Sequence, residues 1–283
     1  MAGSATAKGT HGRARSGLLP IEFQALALRC PVCNTEFTAE LPNVGEPEGR
    51  DTDLRPRYPT VDPMPTLIHA CPSCRYTAYR DGFESRGERD EEDENRPSPR
   101  AGDRPPHDPC VPDDDDIEDL RRWIRRGSLV AGVSENREPF GAERYVLGAR
   151  VYEFLSDDEA YGAADYYLRG AWCARGVGNR ELERRCQMEA VERFEHALEH
   201  SLVPDADKPR TLYLLGELSR RLGDFAKAVD LFSQLDTSSE FEDEETALFA
   251  YLARRQLALA AAKSDINASI DEDPAGLIHS DDE

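Results

Sequence analysis

The sequence predicts a mainly α protein, with a small β-containing cysteine module at the N-terminal end and a solenoid of antiparallel helical hairpins behind it. Three observations carry this. Two Cys-x-x-Cys pairs sit among strand-favouring residues before position 83. Apolar side chains recur at helical spacing from Ile117 to about residue 263, with no strand pattern between them. An acidic, proline-rich stretch with almost nothing apolar to bury divides the two regions.

Residues 1–20 are rich in Gly, Ala, Ser and Arg and read as a disordered tail. They lack the apolar run of a secretory signal peptide. The longest uncharged apolar runs, such as Leu257–Ala262, fall far below the roughly 18 residues a membrane span requires. A cytoplasmic protein with no membrane partner is expected. Residues 21–83 form the cysteine module. Ile21–Leu28 leads into the first pair, Thr66–Ala70 into the second and Tyr76–Tyr79 away from it, each with strand-favouring residues. Leu41 to Pro65 is a long loop that needs anchoring.

Residues 84–116 read as a disordered acidic linker, a solvated spacer in preference to a partner-binding arm. A helix begins at Ile117, with Asp114–Asp116 at its cap. Further helices are predicted at about 142–155, 158–175, 181–201, 207–222, 224–236 and 243–263. The helical domain thus runs 117–264, and residues 265–283 form a second acidic tail, also expected to be disordered.

The net charge of −21 is concentrated outside the folded parts: residues 84–119 carry −10, residues 265–283 carry −7 and residues 1–20 carry +3. The remainder holds only −7. Of 35 basic residues, 31 are arginine, which fits a GC-rich genome; acidic excess with scarce lysine also fits a salt-adapted proteome.

Zinc favours four soft or borderline ligands in a tetrahedron, and a Cys-x-x-Cys turn brings two thiolates to one ion. Cys30-Pro31-Val32-Cys33 and Cys71-Pro72-Ser73-Cys74 are two copies of such a turn, each with Pro after its first Cys. Cys30, Cys33, Cys71 and Cys74 are therefore expected to hold one structural Zn2+ in a ribbon-like module. Four thiolates leave no position for water, so the ion would not be hydrolytic. The 37 residues between the pairs exceed the roughly 15 to 20 common in ribbons, but loop closure cost grows slowly with length. An iron–sulfur cluster, a redox pair and two disulfides are the alternatives; a reducing compartment and the absence of a βαβ pattern weigh against the last two. Glycine often follows the second Cys of a knuckle to adopt positive φ, which Asn34 does readily and Arg75 less comfortably. Cys173 and Cys186 fall on apolar helical faces as packing residues. His69 reads as a plain strand position, and His107-Asp108-Pro109-Cys110 in the linker is assigned no site.

The run Leu212 to Phe232 resembles a tetratricopeptide repeat. Leu215-Gly216 matches the close-approach pair, Gly223-Asp224 the turn, and Ala228 with Phe232 the inward pair of the second helix. Leu212 and Ser219 depart from the usual Trp and Tyr. A weaker copy runs from Ala163 through Trp172 into the helix bearing Ala190, Phe194 and Ala197. One repeat cannot bury its own apolar face, so stacked hairpins are expected, the alternative being an unrelated helical bundle.

Cys30 to Phe37, then Arg50-Asp51-Thr52-Asp53-Leu54 and Tyr58, then Cys71 to Tyr76, together resemble the prokaryotic family DUF2225. The resemblance implies a split zinc-ribbon-like module before a tetratricopeptide-like helical region, and no established activity. Arg50, Asp51 and Asp53 are the positions that neither zinc nor repeats explain. Two carboxylates at i and i+2 can share a hard cation or bind substrate; the competing reading is loop anchoring, with Asp51 paired to Arg50 or Arg57.

The leading function is a protein or peptide interaction across the concave face of the solenoid, with the zinc module positioning the partner. Nucleic-acid binding through the ribbon is a first alternative, opposed by 9 acidic against 6 basic side chains in residues 21–83. An enzyme using the Arg50–Tyr58 loop is a second. No Ser/His/Asp set, phosphate-cradling glycine loop or open zinc site names a reaction, so a non-enzyme is expected.

Overall fold

The structure, a computed structural model, describes residues 21–83, 112–127, 129–130, 133, 137–156, 160–236 and 244–271. The expected tail at 1–20, the His107–Cys110 run with most of the linker at 84–116, and residues 272–283 lie outside the described residues.

Strands β1 (Phe23–Arg29) and β2 (Glu36–Pro42) pair antiparallel, Leu26 opposite Ala39 and Leu28 opposite Phe37. Period-two alternation buries Leu26 and Leu28 and leaves Ala25 and Ala27 outside. The stretch from Leu41 to Pro65 is better organised than a loop. It holds a short hairpin, β3 (Gly49–Arg50) with β4 (Pro56–Arg57), and a single helical turn, α1 (Met64–Leu67). Strand β5 (Ile68–Ala70) then pairs with β6 (Thr77–Tyr79), each residue of both being buried. The strand expected from Thr66 therefore starts two residues late. The Asp62 Oδ1 accepts the Met64 N–H at 2.9 Å, and Pro63 and Pro65 pre-set a helical φ, so Thr66 and Leu67 complete a turn instead.

Helix α2 (Asp114–Arg125) starts three residues before the apolar pattern does. Asp113 is the cap: its Oδ1 accepts the N–H groups of Asp115 and Asp116, and Asp116 returns the bond to the Asp113 N–H. Asp114–Asp116 are the first turn, where carboxylates favour the positive end of the helix dipole. Trp123 stacks on Phe154 at 4.7 Å between centroids, and Arg121 donates to the Val32 carbonyl of the first cysteine turn.

The remaining helices lie within two residues of their predicted bounds: α3 (Ala142–Leu155), α4 (Ala160–Gly176), α5 (Arg180–Glu199), α6 (Lys208–Leu222), α7 (Phe225–Asp236) and α8 (Glu244–Ala261). Each packs on the next, and α6 also meets α8, as stacked hairpins require. In the repeat-like segment a Cβ on Gly216 would come within 2.6 Å of the Phe232 ring, so glycine is what lets α7 approach α6. Gly223 closes α6 at φ 89°. Leu215, Ala228 and Phe232 are buried.

Helix α4 is buried on every side from Tyr161 to Ala174, because the cysteine module covers the face its helical neighbours leave open. The Tyr79 ring sits 6.3 Å from Tyr145 and 5.3 Å from Tyr166, and the Tyr145 hydroxyl donates to the Met64 carbonyl at 2.9 Å. Ile68 occupies the space a Cβ on Gly148 would need. The two modules therefore share one hydrophobic core.

Residues 265–271 correct the expectation of a disordered tail from 265. Ser269 bridges Asp51, Thr52 N–H donates to the Ala268 carbonyl at 2.9 Å, and Ile270 N–H donates to the Arg50 carbonyl at 3.0 Å. Acidic composition hid a period-two pattern in which Ile266, Ala268 and Ile270 alternate with Asn267, Ser269 and Asp271.

Candidate functional site

The two cysteine turns are built alike. Cys30 N–H donates to the Thr35 carbonyl at 2.9 Å and Cys71 N–H to the Tyr76 carbonyl at 2.8 Å. The N–H of the residue after each second Cys returns to the carbonyl of the first, Asn34 to Cys30 and Arg75 to Cys71. Both of these residues take positive φ, 60° and 68°. Asn34 accommodates that cheaply; Arg75 pays the Cβ clash that glycine escapes.

The four sulfurs meet between the turns, all within 4.8 Å of one another. Cys30 Sγ lies 3.6 Å from Cys74 Sγ and Cys33 Sγ 3.5 Å from Cys71 Sγ. A tetrahedron with metal–sulfur bonds of about 2.3 Å has edges of about 3.8 Å, so the donors fit one ion. A polynuclear iron–sulfur cluster would hold them further apart, by its own width. The crowded thiols shift in opposite directions: hydrogen bonding from Cys30 and Cys74 lowers the Cys71 pKa, the contact with Cys71 pushes the Cys30 thiol up to about 12, and the contact with Cys30 raises that of Cys74. The cluster is a donor set of the kind that holds one metal ion.

His69 stays outside that shell. It lies in β5 opposite Ala78, 2% exposed, its ring 6.3 Å from Phe83. Burial, with Arg144 and Arg80 nearby, lowers its pKa to about 4, so the imidazole is neutral. Cys173 and Cys186 are buried, as their helical faces indicated; burial pushes the Cys186 thiol up to about 12 and raises that of Cys173 as well.

Asp51 and Asp53 occupy the tip of the β3–β4 hairpin, a tight turn in which Leu54 takes φ 68° and its N–H donates to the Asp51 carbonyl at 2.8 Å. Both carboxylates are engaged by arginines. Arg175, at the end of α4, donates to Asp53 from both terminal nitrogens, at 2.7 and 3.0 Å, and to Asp51 Oδ2 at 3.0 Å. Arg221, at the end of α6, reaches Asp53 Oδ2 at 3.0 Å and Glu183 at 2.8 Å. Arg57 Nε donates to Asp51 Oδ1 at 2.5 Å, and the Asn267 amide donates to Asp51 Oδ2 at 3.3 Å. Burial alone would raise the Asp53 pKa, but Arg175 and Arg221 outweigh it and hold the carboxyl at about 2. The anchoring reading of the loop is the one this geometry matches, and its partners are chiefly helical arginines. Arg50 stands apart: among the described residues its side chain donates to the Leu54 carbonyl, at 3.4 Å, while its backbone carries the C-terminal segment.

A second buried link lies beside it. Thr52 Oγ1 donates to Glu217 at 2.5 Å, Tyr213 Oη donates to the Thr52 carbonyl at 2.7 Å, and Arg220 grips Glu217 at 2.7 and 3.0 Å. Arg220 also donates to the Ser264 and Ile266 carbonyls at 2.5 and 2.9 Å. Thr52, Arg175, Glu183, Tyr213, Glu217, Arg220, Arg221 and Asn267 escaped sequence reading because their partners lie up to 216 positions away. One signal was available: Glu217 and Arg220 place an i,i+3 charge pair on the apolar stripe of α6.

A duplicated two-cysteine turn, its four sulfurs brought together and docked on stacked helical hairpins, defines the class of protein. The chain belongs to DUF2225, a family described as uncharacterized protein conserved in bacteria, whose sequence model matches residues 24–99 and 120–259. No curated protein and no solved structure matches the chain. Among the described residues no helix is long and apolar enough to cross a membrane.

Proposed function

We propose that the chain is a zinc-stapled binding protein in which tetratricopeptide-like hairpins hold the cysteine module so that its outer surface meets a protein or peptide partner. The observation that carries it is the closed donor set. Four sulfurs at tetrahedral spacing satisfy a zinc ion completely, so the metal holds the two turns together and leaves no coordination position for water or substrate. The Arg50–Asp53 loop supports the same reading, since Asp53 is 1% exposed and both carboxylates serve arginines.

The partner surface differs from the one the repeat resemblance implies. The first helices of the hairpins, α4 and α6, give Arg169, Arg175, Tyr213 and Glu217 to residues 51–64 of the same chain. The inner face is filled in cis, and a partner is received on the outer surface of the cysteine module. Affinity capture of the full chain from its native host, with mass spectrometry of what co-purifies, tests this. A single stoichiometric protein partner supports it; recovery of nucleic acid, or of no partner from any growth condition, overturns it.

A further inference from the structure

Among the described residues the outer edge of β2 is unpaired, and it runs beside a cleft. Asn43 N–H donates to the Glu22 carbonyl and Cys30 N–H to the Thr35 carbonyl, which fixes the phase of the β1–β2 ladder. Antiparallel pairs alternate between hydrogen-bonded and non-bonded, so the backbone groups of Glu36, Thr38 and Glu40 point away from β1. Among the described residues none of them has a backbone partner. Pro42 agrees with this phase, since proline lacks the N–H that an outward position would leave unpaired.

The cleft has a volume of about 550 Å³, within the roughly 300 to 1,000 Å³ of ligand sites. Four consecutive residues of β2, Phe37 to Glu40, line it together with Pro65, Thr66, His69 and Phe140. Phe23 and Phe140, also in the lining, are 55% and 53% exposed, and the Nδ1 of buried His69 has no hydrogen-bond partner among the described residues. The rim is acidic. Glu40 is exposed and the Glu138 side chain is 62% exposed, while Arg144, the basic group of the lining, is held by Glu138 and the Pro139 carbonyl.

We propose that this edge receives an extended peptide segment of a partner protein as a third strand, with apolar side chains in the cleft and Lys or Arg side chains against Glu40 and Glu138. The inference rests on the interaction reading above and names its surface and its partner chemistry. Main-chain hydrogen bonds to a free edge supply affinity, and pockets for alternate side chains supply specificity. Charge decides against a second copy of this chain, because an antiparallel pairing of two β2 edges about Thr38 would set Glu36 of each copy against Glu40 of the other.

Two fluorescein-labelled decapeptides test it: one alternates Val and Phe with Lys and Arg, and the other carries Glu at every basic position. Binding to the zinc-loaded full chain is read by anisotropy. The basic peptide should bind at least tenfold more tightly than the acidic one. Thr38→Pro removes an outward N–H and leaves the β1 ladder intact, so it should weaken the basic peptide at least tenfold at unchanged zinc content. Glu40→Lys keeps the backbone and should narrow or reverse the preference between the peptides, which decides the matter if the proline disturbs the hairpin. Equal binding of the two peptides, no binding of either, or wild-type preference in Glu40→Lys would overturn the proposal. A host partner captured equally by wild type and Thr38→Pro would overturn the edge while leaving the interaction reading in place.

Discussion

Arg175 holds Asp53 through two parallel bonds, Nη1 to Oδ2 at 2.7 Å and Nη2 to Oδ1 at 3.0 Å, across 122 positions of sequence. Fork geometry of this kind is available to arginine and not to lysine. The pair closes the contact between the β3–β4 hairpin and the end of α4, so breaking it from one side leaves a buried charge without its main partner. Arg175→Met should destabilise the fold by about 3 kcal/mol in urea unfolding. Arg175→Lys should recover less than half of that loss.

The same carboxylate gives stability a defined dependence on pH. Its folded pKa, about 2, lies below the unfolded value of 3.8, so its contribution is fully present above about pH 4 and disappears as pH falls through 2. The shift corresponds to roughly 2 kcal/mol. Acid-unfolding curves of wild type and Asp53→Asn should converge between pH 4 and pH 2 and stay separated above pH 4.

Residues 264–271 act as a strap over the same loop. Deleting 265–283 removes the Ile266 carbonyl from Arg220 and the backbone partners of Arg50 and Thr52. The truncated chain should lose about 2 to 4 kcal/mol, and hydrogen exchange at Thr52 should quicken well before exchange in the cores of α4 and α5. Unchanged exchange at Thr52 would show that the strap carries no load.

Helix placement was legible in the sequence because most of the helices expose one face and bury another, so their pattern is local. Gly216 and Phe232 were legible for the same reason: close packing of two adjacent helices forces a small residue opposite a large one. The cysteine turns could be read from their duplication. The role of Asp51 and Asp53 could be narrowed but not decided, because a carboxylate pair has the same spacing whether it awaits a cation or an arginine. What favours anchoring is the arrival of Arg175 and Arg221 at the ends of two distant helices, which no local pattern contains. The strand-like segment at Ile266–Ile270 was masked by the charge around it.

The proposed role of Cys30, Cys33, Cys71 and Cys74 is to close around a single zinc ion that staples the module. Metal analysis of the purified full chain tests it most directly. Wild type should carry one zinc per chain, and Cys71→Ser should lose most of it together with several degrees of thermal stability. A wild-type chain without metal, or a Cys71→Ser chain with undiminished zinc, would rule out the zinc staple.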